Sequence, residues 1–212
     1  MAFGQSEFAS ELKALGINVS RETLQRLETY AALLTKWQAK INLVGPATLP
    51  DLWRRHFLDS AQLVPLLGAP KGTLVDLGSG AGFPGLVLAV MTDWRVHLVD
   101  SDQRKCAFLR QVALDCGVLD RVTIHAKRIE QIAGIAADVV TARACAPLDE
   151  LLELAAPLVG EAGTCLFLKG AQVEEELTAA EHHWTMRLDK RGSITDPAGK
   201  LLIITQLKRK SQ

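Results

Sequence analysis

Hydrophobic and polar positions change period once along this chain. Up to residue 70 the apolar positions recur on a helical period. Leu24, Leu27, Ala31, Leu34, Trp37 and Ile41 form one stripe, with Ser20 placed to cap it and Glu22 in its first turn. Gly45-Pro46 breaks the stripe, and Pro50 opens a second stretch, Asp51 to Ser60. There Arg54, Arg55, His56 and Asp59 crowd into two turns, with His56 and Asp59 spaced to share a face. That stretch is either a solvated charged helix or the border of a site that touches phosphate.

From residue 73 onward short apolar runs alternate with amphipathic stretches. The runs Thr73–Asp76, Val96–Val99, Val122–His125, Asp138–Thr141 and Cys165–Leu168 read as buried strands. The stretches Pro84–Met91, Asp102–Cys116 and Leu148–Leu158 read as the helices between them. Alternation of this kind predicts a parallel sheet with ligands at the carboxyl ends of its strands. The last forty residues break the rule. A helix over Glu174–His183 precedes two strands, Trp184–Leu188 and Leu201–Leu207, joined by a turn-rich loop, and consecutive strands so joined are antiparallel. The predicted fold class is therefore α/β and Rossmann-like: seven strands, five parallel plus an antiparallel C-terminal pair, with an N-terminal helical extension. Residues 1–70 are assigned to the extension and 71–212 to the ligand-binding domain.

Composition narrows the partners. Twenty-four basic and twenty-four acidic side chains leave no net charge, so any nucleic-acid surface must come from small clusters. The candidates are Arg54-Arg55, Lys127-Arg128 and Lys208-Arg209-Lys210. Cys106, Cys116, Cys145 and Cys165 make neither a CxxC pair nor a zinc spacing, so no metal is expected, and scattered thiols fit a reducing, cytoplasmic compartment. The longest apolar run, Phe83 to Met91, is too short to span a bilayer.

The chemistry gathers at the strand ends. The first strand runs into Asp76-Leu-Gly78-Ser-Gly80-Ala-Gly82-Phe83-Pro84-Gly85, where backbone can press against a ligand. Gly80, Gly82 and Gly85 satisfy the dinucleotide pattern. Three features favour S-adenosylmethionine over a nicotinamide cofactor: Asp76 two residues before Gly78, the apolar Phe83-Pro84 after the third glycine, and the C-terminal strand pair, which is typical of methyltransferases. Asp100, ending the second strand, is placed to accept from both ribose hydroxyls. Ile129 could pack on the adenine face beside Glu130, and Gly78, Gly80, Phe83 and Arg143 complete the cofactor set. Arg143 either orients the cofactor carboxylate or binds the substrate; Lys169 and His56 are further candidates for the substrate pocket. Cys145 raises a covalent pyrimidine mechanism, but no base accompanies it, and a small buried thiol is the commoner case.

Several stretches together resemble the RsmG (GidB) family of bacterial methyltransferases. They are Lys36-Trp37 through Asn42-Leu43, Arg55-His56-Phe57-Leu58-Asp59-Ser60, Asp76 to Gly85, Leu98-Val-Asp-Ser101 with Phe108-Leu-Arg-Gln-Val112, Thr141-Ala-Arg-Ala144, and Leu168-Lys-Gly170. The resemblance implies S-adenosylmethionine as methyl donor, S-adenosylhomocysteine as product, and N7 of a guanine in the 530 loop of 16S rRNA, free or in a small-subunit precursor, as acceptor. It implies cofactor positions at Gly78, Phe83, Ile129-Glu130 and Arg143; Cys145 stands where the family usually has an aromatic residue. Guanine N7 carries a lone pair and no proton. Direct in-line displacement then needs no general base, and no catalytic dyad is expected. The rival readings are a methyltransferase for a small molecule or protein, an NAD-binding oxidoreductase, and a non-catalytic cofactor-binding module. The oxidoreductase lacks a Tyr-Lys pair, since the single tyrosine, Tyr30, lies in the N-terminal stripe.

Overall fold

The computed structural model describes residues 3–211. Two helices lead, α1 (Gln5–Ala14) and α2 (Arg21–Gln38). The Ser20 hydroxyl caps α2 by accepting from the Thr23 amide at 3.0 Å. The helix stops at Gln38, so Ile41 lies outside it, and Gln38 itself ties down the exit by bonding the backbone of Leu43 and Val44. The stretch predicted as one helix from Asp51 to Ser60 is instead a succession. A 3-10 turn (Pro46–Asp51) leads into a π-helix (Trp53–Leu58) and a single α turn, α3 (Asp59–Ala61). Pro46 and Pro50 each withhold an amide from the first of these. The segment is not solvated: His56 is 7% exposed and Asp59 9%.

The remaining elements are β1 (Thr73–Leu77), α4 (Gly85–Met91), β2 (Arg95–Val99), α5 (Gln103–Asp115), β3 (Val122–His125), β4 (Ala137–Arg143), α6 (Leu148–Ala155), β5 (Val159–Lys169), α7 (Val173–His183), β6 (Trp184–Gly192) and β7 (Lys200–Arg209). They form one seven-stranded sheet in the order β3-β2-β1-β4-β5-β7-β6. The first five strands pair in parallel, and β7 pairs antiparallel with both β5 and β6.

Strand alternation divides the core between the two faces. Leu74, Leu98, Val139 and Leu166 point to one face with α4 and α5; Val75, Val99, Val140 and Cys165 point to the other with α6 and α7. The N-terminal helices belong to the first of these cores. Phe8, Leu12, Leu27, Tyr30 and Leu34 are fully buried in it. Gly85 makes this layer possible. A Cβ there would lie 2.6 Å from Asp76 Cβ and from Leu98 Cδ2, so only glycine lets α4 sit this close to β1 and β2.

Candidate functional site

A cavity of about 780 Å³ opens at the carboxyl ends of the parallel strands. It straddles the switch point, where β1 has β2 on one side and β4 on the other. Its floor is the glycine turn. Gly78, Gly80 and Gly82 all have positive φ, of 63°, 56° and 93°, a conformation that costs other residues about 1–2 kcal/mol each. A Cβ on Gly78 would lie 2.5 Å from Cys145 Sγ, so the turn after β4 closes directly over the turn after β1. Ala144, beside Cys145, also takes positive φ, at 49°, an uncommon conformation outside glycine that is often kept at functional sites. Burial pushes the Cys145 thiol up to about 11, which removes it as a nucleophile at neutral pH.

Asp100 reaches the turn from the end of β2. Its Oδ2 accepts from the Gly80 amide at 2.8 Å and its Oδ1 from the Asp102 amide at 2.8 Å. Each oxygen keeps a further lone pair for a ligand hydroxyl. Capping of α5 falls to Asp102, which accepts from the amides of Arg104 and Lys105. Beneath the turn, Asp76 is fully buried. Burial lifts its carboxyl to about 6, and the Thr141 hydroxyl, donating to Oδ1 at 2.7 Å, works against that rise. Its Oδ2 has no hydrogen-bond partner among the described residues.

Phe83 carries the turn into the N-terminal segment. It is 3% exposed, stacked between Tyr30 at 5.4 Å and His56 at 5.0 Å, with the Arg143 guanidinium 5.1 Å from its ring centre. The Tyr30 hydroxyl donates to the Ala81 carbonyl inside the glycine turn. Tyr30 therefore braces the floor of the site from beneath without lining the cavity, a role its place in the helical stripe does not announce. Its spacing from Leu27 and Leu34 was the available signal of its burial.

Arg143 closes β4 and is held from three sides. Nη1 donates to the Arg55 carbonyl at 3.0 Å and to Asp59 Oδ2 at 3.3 Å; Nη2 donates to His56 Nδ1 at 2.8 Å. Because Nδ1 accepts, the His56 proton sits on Nε2 and is donated to Thr48 Oγ1 at 2.8 Å. The Thr48 hydroxyl in turn donates to the Gly45 carbonyl at 2.7 Å. Burial and the neighbouring Arg143 and Arg55 charges depress His56 to about 3. His56 is thus a neutral wall with both ring nitrogens engaged.

The other expected residues are placed unequally. Lys169 lines the cavity, but its charge is met by Glu176 at 2.5 Å. Ile129 and Glu130 lie in a short 3-10 turn after the edge strand β3, and neither lines the cavity; nor do Lys127 and Arg128. Of the proposed RNA contacts, Arg55 borders the cavity and pairs with Asp196 at 3.1 Å, while Arg54 stands 5.9 Å over the Phe3 ring. The tail group is displaced. β7 opens at Lys200 beside Lys169 and runs antiparallel to β5, so Lys208 and Arg209, with Lys210 just beyond, lie roughly 30 Å from Lys200, at the amino-terminal ends of the parallel strands. Arg209 there pairs with Glu153 and lies over Trp184, and Lys210 donates to the Glu181 carbonyl at 2.6 Å. Among the described residues no group of three or more His, Cys, Asp or Glu is placed to hold a metal, and no helix is long and apolar enough to cross a membrane.

Comparison with known proteins gives both fold and family. The chain is 14% identical to a SAM-dependent O-methyltransferase of Thermotoga maritima, with a TM-score of 0.58 over 84% of this chain and 72% of that one. It is 15% identical to a ribosomal protein L11 methylase of Lactobacillus delbrueckii, with a TM-score of 0.58 over 74% and 79%. At such identities the likeness speaks for the fold alone. The sequence relatives are nearer. One from Paramagnetospirillum magneticum is 60% identical over 90% of this chain and 92% of its own length; one from Rhodospirillum rubrum is 51% identical over 94% and 98%. Each is named ribosomal RNA small subunit methyltransferase G. The family model described as GidB, rRNA small subunit methyltransferase G, matches residues 23–201, which take in both halves of the cavity, and the chain belongs to that family.

Proposed function

We propose that this protein transfers a methyl group from S-adenosylmethionine to N7 of a guanine in the 530 loop of 16S rRNA. The family match across residues 23–201 carries this reading. The site fits the donor: a turn with glycine at every second position from Gly78 to Gly82, an acidic residue with free lone pairs at Asp100, and a cavity of about 780 Å³. Gly78, Gly80 and Asp100 would hold the nucleoside, with Phe83 and Arg143 toward the methionine end. Residues 71–212 then act as the transferase domain and 1–70 as its helical extension.

The donor supplies a methyl group already activated on a sulfonium. What remains for the chain is to bind, align and exclude water. Positioning of this kind can account for roughly 7–11 kcal/mol of barrier. The state of His56 supports a mechanism without a general base. The histidine nearest the cavity is neutral, its Nδ1 lone pair is taken by Arg143 and its Nε2 proton by Thr48. A base would be idle in any case, because guanine N7 bears no proton to remove. Cys145, held as a thiol, offers no covalent route.

Incubating the protein with methyl-labelled S-adenosylmethionine and small-subunit rRNA from a strain lacking the enzyme tests the reading. Label in the rRNA supports it. Label that enters only protein or small molecules favours the rival methyltransferase activities.

A further inference from the structure

Part of the cavity rim is the connection between β6 and β7, from Ser193 to Lys200, which the proposed transfer does not use. It is strapped to the segment around Asp59. The hydroxyls of Ser193 and Thr195 reach Asp59 Oδ1 at 3.3 and 2.6 Å, the Ile194 amide donates to Gln62 Oε1 at 3.2 Å, and Asp196 pairs with Arg55 at 3.1 Å. A turn between two outer strands would ordinarily be mobile. This one is fixed at four points.

Two side chains of the turn remain uncommitted. Ile194 stands between the cavity-lining Ser193 and Thr195 without lining the cavity itself, and its side chain is 39% exposed on the rim. Lys200 lines the cavity, in register with Lys169. Among the described residues it has no carboxylate within ion-pair distance, whereas Arg143, Lys169 and Arg55 each have one. Lys105 is the other unpaired cation on the cavity wall, but it stands on α5 just beyond Asp100, across the cavity on the nucleoside side.

We propose that the turn from Ser193 to Lys200 is a docking surface for the RNA strand that flanks the target base, with Ile194 packed against the neighbouring base and Lys200 against its phosphate. This rests on the reading that the acceptor is a base in RNA. To reach the cavity that base must leave its stack, and a rigidly held apolar side chain fills or supports the gap it leaves. An uncompensated cation on the same turn matches the phosphate that moves with the base. An exposed apolar group and a bare cation on one firmly held turn at the cavity rim suit a splayed nucleotide better than either group would alone.

Steady-state methylation of small-subunit rRNA by the full chain tests this, comparing wild type with Ile194→Ala, Lys200→Ala and Lys200→Arg. Leu119→Ala, an exposed aliphatic beyond the end of α5, serves as the control. Lys200→Ala is expected to raise the RNA KM about tenfold and to reduce the log–log salt slope by about one, with Lys200→Arg restoring both. Ile194→Ala is expected to raise the RNA KM several-fold, while Leu119→Ala leaves it unchanged. Binding of S-adenosylhomocysteine should be the same in all variants, which checks that each is folded. Wild-type RNA KM and salt slope in both Ile194→Ala and Lys200→Ala would overturn the docking surface and leave the proposed function standing. No methylation of rRNA by wild type would remove both.

Discussion

Arg143 donates to Asp59 at 3.3 Å, an ion pair that joins the end of β4 to the N-terminal segment with both side chains largely buried. Asp59 is a hub as well as a partner. Its other oxygen accepts from Gln62, Ser193 and Thr195, so one carboxylate ties together three distant parts of the chain. Removing it leaves Arg143 uncompensated and two hydroxyls without their acceptor. Asp59→Ala should cost about 3–5 kcal/mol in urea unfolding, the range for breaking a buried pair. Asp59→Asn, which keeps the shape, should cost less. A loss under about 1 kcal/mol in Asp59→Ala, the range of exposed pairs, would mean that the hub is slack.

His56 makes stability depend on acid. Its folded pKa of about 3 lies below the ordinary histidine value of 6.5, so between those limits the unfolded chain binds the extra proton. The folded state therefore loses ground as pH falls from about 6.5 toward 3. His56→Gln should flatten the stability–pH slope in that window by up to one proton, about 1.4 kcal/mol per pH unit. Asp76, with its folded pKa raised to about 6, has the opposite slope between about 4 and 6 and is present in both proteins, so it cancels in the comparison. Equal slopes for wild type and variant would show that His56 is not held neutral.

Tyr30 links the helical segment to the glycine turn. Tyr30→Phe keeps the stack on Phe83 but leaves the buried Ala81 carbonyl unpaired, a loss of about 1–3 kcal/mol. Because that carbonyl lies within the glycine turn, affinity for S-adenosylhomocysteine should fall together with stability. Calorimetric titration of the variant checks this, and undiminished affinity would detach Tyr30 from the turn.

The glycines separate by role. Gly85→Ala drives a methyl into Asp76 and Leu98, so it should lower thermal stability by about 1–3 kcal/mol as an overpacked core. Gly78→Ala meets only the Cys145 side chain and the cost of its positive φ. It should weaken S-adenosylhomocysteine binding more than it weakens the fold. Paired melting and binding curves distinguish the two, and the same pattern for both variants would contradict the assignment.

Much of the fold was legible because buried parallel strands read as continuous apolar runs; β3 matches its expected span residue for residue. β5 begins at Val159, six residues before the expected Cys165, because Gly160, Glu161 and Gly163 hide its first half from any apolar pattern. The glycine turn and Asp100 lie within one strand–helix–strand unit, from β1 to the residue after β2, so their spacing is visible in the sequence. The Asp59 hub could not be read this way, because its partners other than Gln62 lie 84 to 136 positions away and only the folded chain brings them together. The distance of the tail cations from the cavity was hidden for the same reason. A run of basic residues carries no sign of which end of the sheet's strands it lies at.

The most direct measurement is to digest small-subunit rRNA after reaction with labelled S-adenosylmethionine and to identify and map the labelled nucleoside. The proposed chemistry predicts a single 7-methylguanosine in the 530 loop. Label in any other nucleoside, or on a ring atom that must first lose a proton, would contradict base-free transfer to guanine N7.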